Sequence, residues 1–440
     1  MTAALEMVRA KVAAQKAALP ALYGEVDFDV TPERFTDDPK SSVAPRLARA
    51  KLDPDKLALI KAYTMLGDVV ADAYAALMPK YGFRPLIQML TKACDEGIAA
   101  VPDAPPELAA FIADMERVPD WLDMDLVREG QKLDRNAAAN LGPFAIRGAF
   151  IATFMNKYAA LPMALTGTLS NDTAARRVNE TATFFTTTLL PGSLERHGAG
   201  FKAAAMVRLM HSMVRFNALK RSNLWDVGVY GIPIPQVDQM PAGLIPIFLM
   251  SYKIVATGRT VFTPEERARV ELARYRCFLL GLPEDLLADT PQGVVDTMNA
   301  RSATLRAGFD DATCGELVRA TLNAYLPPDE RPENKLFDKV ERGFAKVFFL
   351  RNFLNGDREA ARRMGVEIGP RDFMLFGLVA LFVTGQLAAY RLARNVPGVA
   401  ELADRRLVAR LKKQLARYGH AEFTSDADQY RPAAGTRKAA

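Results

Sequence analysis

Apolar residues recur at three- and four-residue intervals almost from end to end of this chain, and alternating Val/Ile/Thr runs bounded by turns are nearly absent. A period of 3.6 residues gathers side chains on one face of a helix, so the pattern predicts an all-α fold. Helices are expected over roughly 3–18, 55–79, 84–100, 106–117, 121–138, 144–158, 172–189, 201–219, 242–257, 264–280, 291–307, 314–324, 336–352, 371–393 and 400–418. Proline and glycine punctuate them at Pro102-Asp103-Ala104-Pro105-Pro106, Pro191-Gly192-Ser193, Gly231-Ile232-Pro233-Ile234-Pro235 and Leu326-Pro327-Pro328-Asp329. None of these is long enough to be a flexible linker, and no internal repeat is visible. The expected organisation is one multi-helix domain: an N-terminal helical extension over 1–140, a core over 141–325, a C-terminal helical region over 326–428 and a disordered tail over 429–440.

Two segments depart from the usual amphipathic pattern. Phe373 to Val383 is apolar without interruption for 11 residues before Thr384-Gly385-Gln386, which favours a buried core helix, although adding Leu387 to Tyr390 brings it near membrane length. Between Arg405 and Arg417, six cations (Arg405, Arg406, Arg410, Lys412, Lys413, Arg417) occur with no carboxylate while Leu407, Leu411 and Leu415 repeat at i, i+4. This basic amphipathic helix reads either as a solvated face packed through its leucines or as a peripheral dock on an anionic membrane. The net charge of +6 on 440 residues is too dilute to call for nucleic acid. Cys94, Cys277 and Cys314 imply no disulfide framework. The first residues interleave charge with apolar side chains, unlike a secretory signal, so a cytoplasmic location is expected, with membrane association as the alternative.

The histidine supply restricts the chemistry more than charge does, because His197, His211 and His420 are the whole of it. The residues three before them are Leu194, Arg208 and Arg417, so the paired Glu-x-x-His of a di-iron bundle is missing. Neither His-Glu-x-x-His nor Cys-x-x-Cys is present for zinc, and Cys-x-x-Cys-His for covalent haem is absent too. Gly198-Ala199-Gly200-Phe201-Lys202-Ala203 imitates a dinucleotide fingerprint but follows a Pro-Gly loop rather than a strand, and reads as a turn that starts a helix. Haem b needs one protein ligand to its iron, which makes it the metal cofactor most compatible with this inventory.

On a helical wheel His211 shares a face with Ala204, Val207, Val214 and Ala218, flanked by Arg208 and Arg215. An imidazole, apolar neighbours and two cations for propionates are what a buried haem requires; a core histidine bonded to a carbonyl is the plainer alternative. On the 172–189 segment, Arg177, Thr181, Phe184 and Thr188 fall close to one line with Glu180 at its edge, mixing a cation, hydroxyls and a ring. Such a stripe suits a site, or a snorkelling arginine with threonines bonded back to carbonyls.

At these residues the chain resembles the latex clearing proteins, or rubber oxygenases, together with the mycophenolic-acid-oxygenase-like family. The resemblance is carried by Arg177-Val178-Asn179-Glu180-Thr181 and, thirty positions beyond Thr181, by His211 within Val207-Arg208-Leu209-Met210-His211-Ser212-Met213-Val214-Arg215. It continues through Trp225-Asp226, Gly231-Ile232-Pro233-Ile234-Pro235-Gln236-Val237-Asp238, Phe262-Thr263-Pro264-Glu265-Glu266 and Leu280-Gly281-Leu282-Pro283. It implies a globin-like catalytic core within 141–325 that holds one non-covalent haem b, with His211 as the iron ligand and Arg177 and Thr181 beside the haem. Glu180 stands where rubber-cleaving members carry a lysine, and Leu161 where the spacing would place their proposed base; both departures speak against polyisoprene as the substrate. The implied activity is an oxygenase that uses dioxygen to cleave an alkene of a lipophilic, isoprenoid-like or unsaturated-lipid substrate to carbonyl products. Glu180 is a candidate distal acid/base or an ion-pair partner of Arg177 or Arg176, and the alternatives to an oxygenase are a haem- or lipid-binding protein without turnover and a haem peroxidase-like enzyme.

Overall fold

The computed structural model of this chain describes residues 2–45, 52–165, 171–221 and 225–419. Helices appear where the apolar period places them, and their ends are set by local chemistry. Ala3–Ala18 begins after Thr2, whose hydroxyl accepts from the Leu5 amide. Pro264–Leu279 begins with a capping box in which Thr263 and Glu266 each bond the other's backbone N–H. Among the described residues the only β-type pairing is two isolated bridges, Phe35 with Leu305 and Ser42 with Arg306, so the fold is all-α.

Two expected helices are broken: the one over 144–158 ends at Ala152 and Lys157–Leu165 begins afresh, and the other is divided more finely. The apolar period over 55–79 is divided among Pro54–Thr64, Val69–Ala75 and Met78–Tyr81. Gly67 sits at the first break with no room for a side chain, since a Cβ there would lie 2.0 Å from the Tyr23 hydroxyl and 2.7 Å from Asp72 Oδ2. Asp68 then restarts the chain as an N-cap, its carboxylate accepting from the Ala71 amide at 3.3 Å.

The helices gather into two compact units that interleave along the chain. Among the described residues, the first comprises the chain up to Gly130 and Gly192–Gly308; the second comprises Gln131–Pro191 and 309–419. In the first, the long helix Ala199–Lys220 is buried along most of its length against Val69–Ala75, Phe83–Glu96 and Pro264–Leu279. In the second, Pro332–Phe353 packs on Gly142–Ala152 and Pro370–Arg394. Gly148 permits the first of these contacts, because a Cβ there would come within 2.7 Å of the Ala345 carbonyl oxygen.

Arg147, fully buried, ties the second unit together. Its guanidinium donates to Glu341 at 2.8 Å, to Asp338 at 3.2 Å and to the carbonyls of Thr321 and Ala324 at 2.7 and 2.8 Å. Burial raises Glu341 to about 7 in spite of Arg147, and its Oε1 has no hydrogen-bond partner among the described residues, which suits a protonated carboxyl. A folded-state value above the ordinary one stabilises most below the usual carboxylate range and loses that stabilisation as pH rises through 7. The unfolding free energy is therefore expected to fall by about 1 kcal/mol between pH 6 and 8, and Glu341→Gln to flatten the slope. Urea unfolding of both proteins across this range is the check; an unchanged slope refutes the assignment.

The segment read as a buried core helix turns out otherwise. In Pro370–Arg394 only Val379 and Val383 are buried, packed with Phe376 against Phe344 and Phe348. Around this stripe Phe373, Phe376, Ala380 and Leu387 are half-buried, and the opposite side of this apolar helix, with Met374, Leu378, Leu381, Phe382 and Leu392, is exposed. The following helix, Val399–Tyr418, does pack through Leu407 and Leu411 and turns Arg405, Arg406, Lys412, Lys413 and Arg417 outward.

Candidate functional site

The sequence-derived site residues fall in both compact units, Arg208, His211 and Arg215 in the first and Arg177, Glu180 and Thr181 in the second. On Ala199–Lys220, Val207, His211 and Val214 form a half-buried stripe, whereas Arg208, Leu209, Met210, Ser212, Met213 and Arg215 are buried. The helix thus presents one imidazole between two valines on its most open side. It starts as the sequence suggests: the Phe201 amide donates to the Ser193 carbonyl at 2.9 Å, and a Cβ on Gly198 would lie 2.3 Å from that oxygen. The glycines of the dinucleotide-like string serve this close turn.

Arg208 and Arg215 do not stand ready for propionates; that expectation is corrected. Arg208 donates through Nε and Nη2 to Asp68, the latter at 2.8 Å, and pairs with Asp114 at 2.7 Å. Arg215 is fully buried, paired with the fully buried Asp72, and donates to the Pro233 carbonyl at 2.9 Å and to the Ile234 carbonyl. Asp72 also accepts from the Tyr23 hydroxyl at 2.5 Å. Burial would raise Asp68, but the Arg208 guanidinium outweighs it and holds the carboxyl below its usual range. At Asp72 burial wins, helped by nearby Asp68, and the carboxyl is raised although Arg215 opposes this. The two ion pairs fasten the helix three residues before His211 and four residues after it, so both guanidinium groups position the helix.

Sequence reasoning missed Asp68, Asp72 and Tyr23. The available signal was a pair of carboxylates four apart within Asp68-Val69-Val70-Ala71-Asp72-Ala73-Tyr74-Ala75, a stretch otherwise too apolar to carry charge without partners.

In the second unit, Asn171–Thr187 carries the other candidates. Glu180 is buried, and its Oε1 accepts from Arg176 at 2.9 Å while its Oε2 accepts from Arg177 at 3.1 Å. Arg177 and Thr181 are half-buried, one turn apart. Of the other histidines, His197 places Nδ1 3.1 Å from the Cys94 carbonyl oxygen, a structural contact, and His420 lies outside the described residues. Among the described residues no group of three or more His, Cys, Asp or Glu side chains could hold a metal ion.

Residues 135–385 match the family described as ER-bound oxygenase mpaB/B′/rubber oxygenase, catalytic domain. This chain belongs to that oxygenase family. Its fold is similar to the structure of latex clearing protein LCP in the closed state, with a TM-score of 0.54 and 19% sequence identity over 87% of this chain and 95% of that one. No curated protein matches the chain in sequence.

Two of the segments that carry the family resemblance prove to be scaffolding around the histidine helix. Gly231 to Pro235 bends through Ile234, at φ 45°, and its carbonyls at 233 and 234 cap Arg215. Asp238 accepts from Arg34 at 2.9 and 3.0 Å and from Arg301 at 2.9 Å; burial alone would raise its carboxyl, and the two cations bring it below its usual range. Gly281, at φ +86°, lies against the Asp68–Arg208 pair, where a Cβ would sit 2.6 Å from Asp68 Oδ2. The segments at 231–238 and 281 therefore hold Arg215 and Arg208, and through them the helix that bears His211.

Proposed function

We propose that this chain is a haem b dependent oxygenase with His211 as the iron ligand, acting on a lipophilic alkene of the isoprenoid or unsaturated-lipid kind. The observation that carries the reading is the half-buried stripe Val207, His211 and Val214 in the middle of a helix buried along most of its length and fastened by ion pairs on either side of the histidine. A lone imidazole among valines fits haem b, which takes four nitrogens from its own macrocycle and apolar contact from the protein. Bound haem would supply an iron that activates dioxygen for addition across a carbon–carbon double bond and its cleavage to carbonyls.

Each residue then has a task. His211 would hold the cofactor, and its neighbouring valines would exclude water from it. Arg177 and Thr181 match the family's pocket residues and would help to retain the haem, the globin-like arrangement of the core being part of the same proposal. Glu180, bracketed by Arg176 and Arg177, would hold or move a proton during turnover. Glutamate at this position, in place of the lysine of rubber-cleaving relatives, favours a small lipophilic alkene over polyisoprene.

A haem titration followed at the Soret band, then oxygen uptake with alkene substrates, tests the proposal. Haem uptake with oxygen consumed and carbonyls formed is expected, and Glu180→Gln is expected to slow turnover by about 10²-fold or more while leaving the spectrum unchanged. No Soret band at any loading overturns the reading. Haem uptake without oxygen uptake leaves a carrier, and peroxide-driven dye oxidation alone leaves a peroxidase.

A further inference from the structure

Among the described residues of the second unit, the outer side of Pro370–Arg394 has no counterpart. Leu378 is 62% exposed, Leu381 76% and Leu392 69%, with Met374 and Phe382 also more than half exposed. From Phe373 to Tyr390 there are 18 residues without a charge, about 27 Å of helix at 1.5 Å per residue. Isolated exposed leucines are ordinary, but a continuous apolar face of this length marks an interaction surface. Val396, Val399 and Leu402 extend it into the start of the next helix.

Charge identifies what covers the face. Arg371 and Arg391 are exposed near its two ends, and Arg405, Arg406, Lys412, Lys413 and Arg417 are exposed along the helix that follows. Carboxylates near them are few and engaged: Glu401 with Arg405 at 2.5 Å, Asp404 with Arg135 at 2.6 Å and Asp372 with Lys346 at 3.6 Å. A second copy of the chain, paired through the same face about a two-fold axis, would bring two sets of exposed cations together. Anionic lipid headgroups would instead neutralise them while acyl chains receive the leucines. Because Phe376, Val379 and Val383 remain packed on Phe344, the helix is tied to the protein along one side and suits insertion lying flat better than a span.

We infer that the outer face of Pro370–Arg394 and the exposed cations of Val399–Tyr418 together dock this protein peripherally on an anionic bilayer. The inference is independent of the haem assignment. It also supplies a route for a lipophilic substrate, which concentrates in the bilayer rather than in water.

Flotation of the purified full chain with phosphatidylcholine vesicles, with and without phosphatidylserine, tests it and needs neither haem nor turnover. The chain is expected to float with the phosphatidylserine vesicles and weakly with phosphatidylcholine alone. The triple variant Leu378→Ser, Leu381→Ser, Leu392→Ser, at exposed positions that leave the core intact, is expected to lose flotation. Arg406→Gln, Lys412→Gln, Lys413→Gln is expected to lower partition by about a hundredfold. Absence of flotation with both vesicle types overturns the proposal, as does flotation unaffected by the leucine variant. A dimer in sedimentation that the leucine variant dissociates would assign the face to a second copy, and flotation gained only on removal of residues 420–440 would assign it to the chain's own end; either result also overturns it.

Discussion

Asp72→Ala is expected to destabilise the chain by about 3–5 kcal/mol, because it leaves the fully buried Arg215 without its carboxylate in an interior that cannot solvate a guanidinium. The same change removes the acceptor of the Tyr23 hydroxyl. Against a typical total of about 5–15 kcal/mol, this is about a fifth of the folding free energy or more. Removing both charges with Asp72→Leu and Arg215→Met is expected to cost less than either single change, since an apolar pair of similar volume replaces an ion pair whose desolvation nearly cancels its attraction. Urea unfolding of the three variants measures this. A single-variant loss under about 1 kcal/mol would show that water or rearrangement relieves the stranded charge, and that the pair does not fix the helix.

His211→Ala is the counterpart, with its large effect on ligand binding and its small effect on folding. The side chain is half-buried, and the helix keeps its fastenings at Arg208 and Arg215, so the melting temperature of the haem-free protein should scarcely change. Haem affinity should fall by more than about 100-fold, beyond the loss that follows removal of a metal ligand's outer partner, and oxygenase activity with it. Asp72→Ala should weaken haem binding as well, but together with stability, because it releases the setting of the helix. If His211→Ala retains full Soret absorbance, the ligand lies elsewhere. If it unfolds the protein, His211 is a core histidine, the plainer of the two readings open at sequence level.

The all-α class, the helix Ala199–Lys220 and family membership were legible in the sequence, because each rests on local periodicity or on a short string of residues. The structure changed what the neighbours do. Arg208 and Arg215 looked like cofactor cations because a helical wheel reports direction and says nothing of partners; Asp68 and Asp72, some 140 positions away, claim them. Glu180 reads as an acid/base from its place beside Thr181, and the fold adds that both its oxygens already accept from arginines. Phe373 to Val383 looked like core because hydropathy measures a preference for leaving water and cannot say whether the fold supplies enough surface to cover it. Here it covers one side of the helix.

The sequence by itself determined which segments are helical, which histidine lies on an apolar helical face and which oxygenase family the chain resembles. These follow from the 3.6-residue period and from contiguous residues, which need no knowledge of distant contacts. Only the tertiary structure decided that residues 192–308 join the N-terminal segments rather than their immediate neighbours, that two buried ion pairs lock the histidine helix, and that the most apolar helix faces outward. The physical reason is common to all three. Burial and charge pairing are properties of surfaces brought together from far apart in the chain, and a one-dimensional pattern states what each surface prefers without stating what it meets.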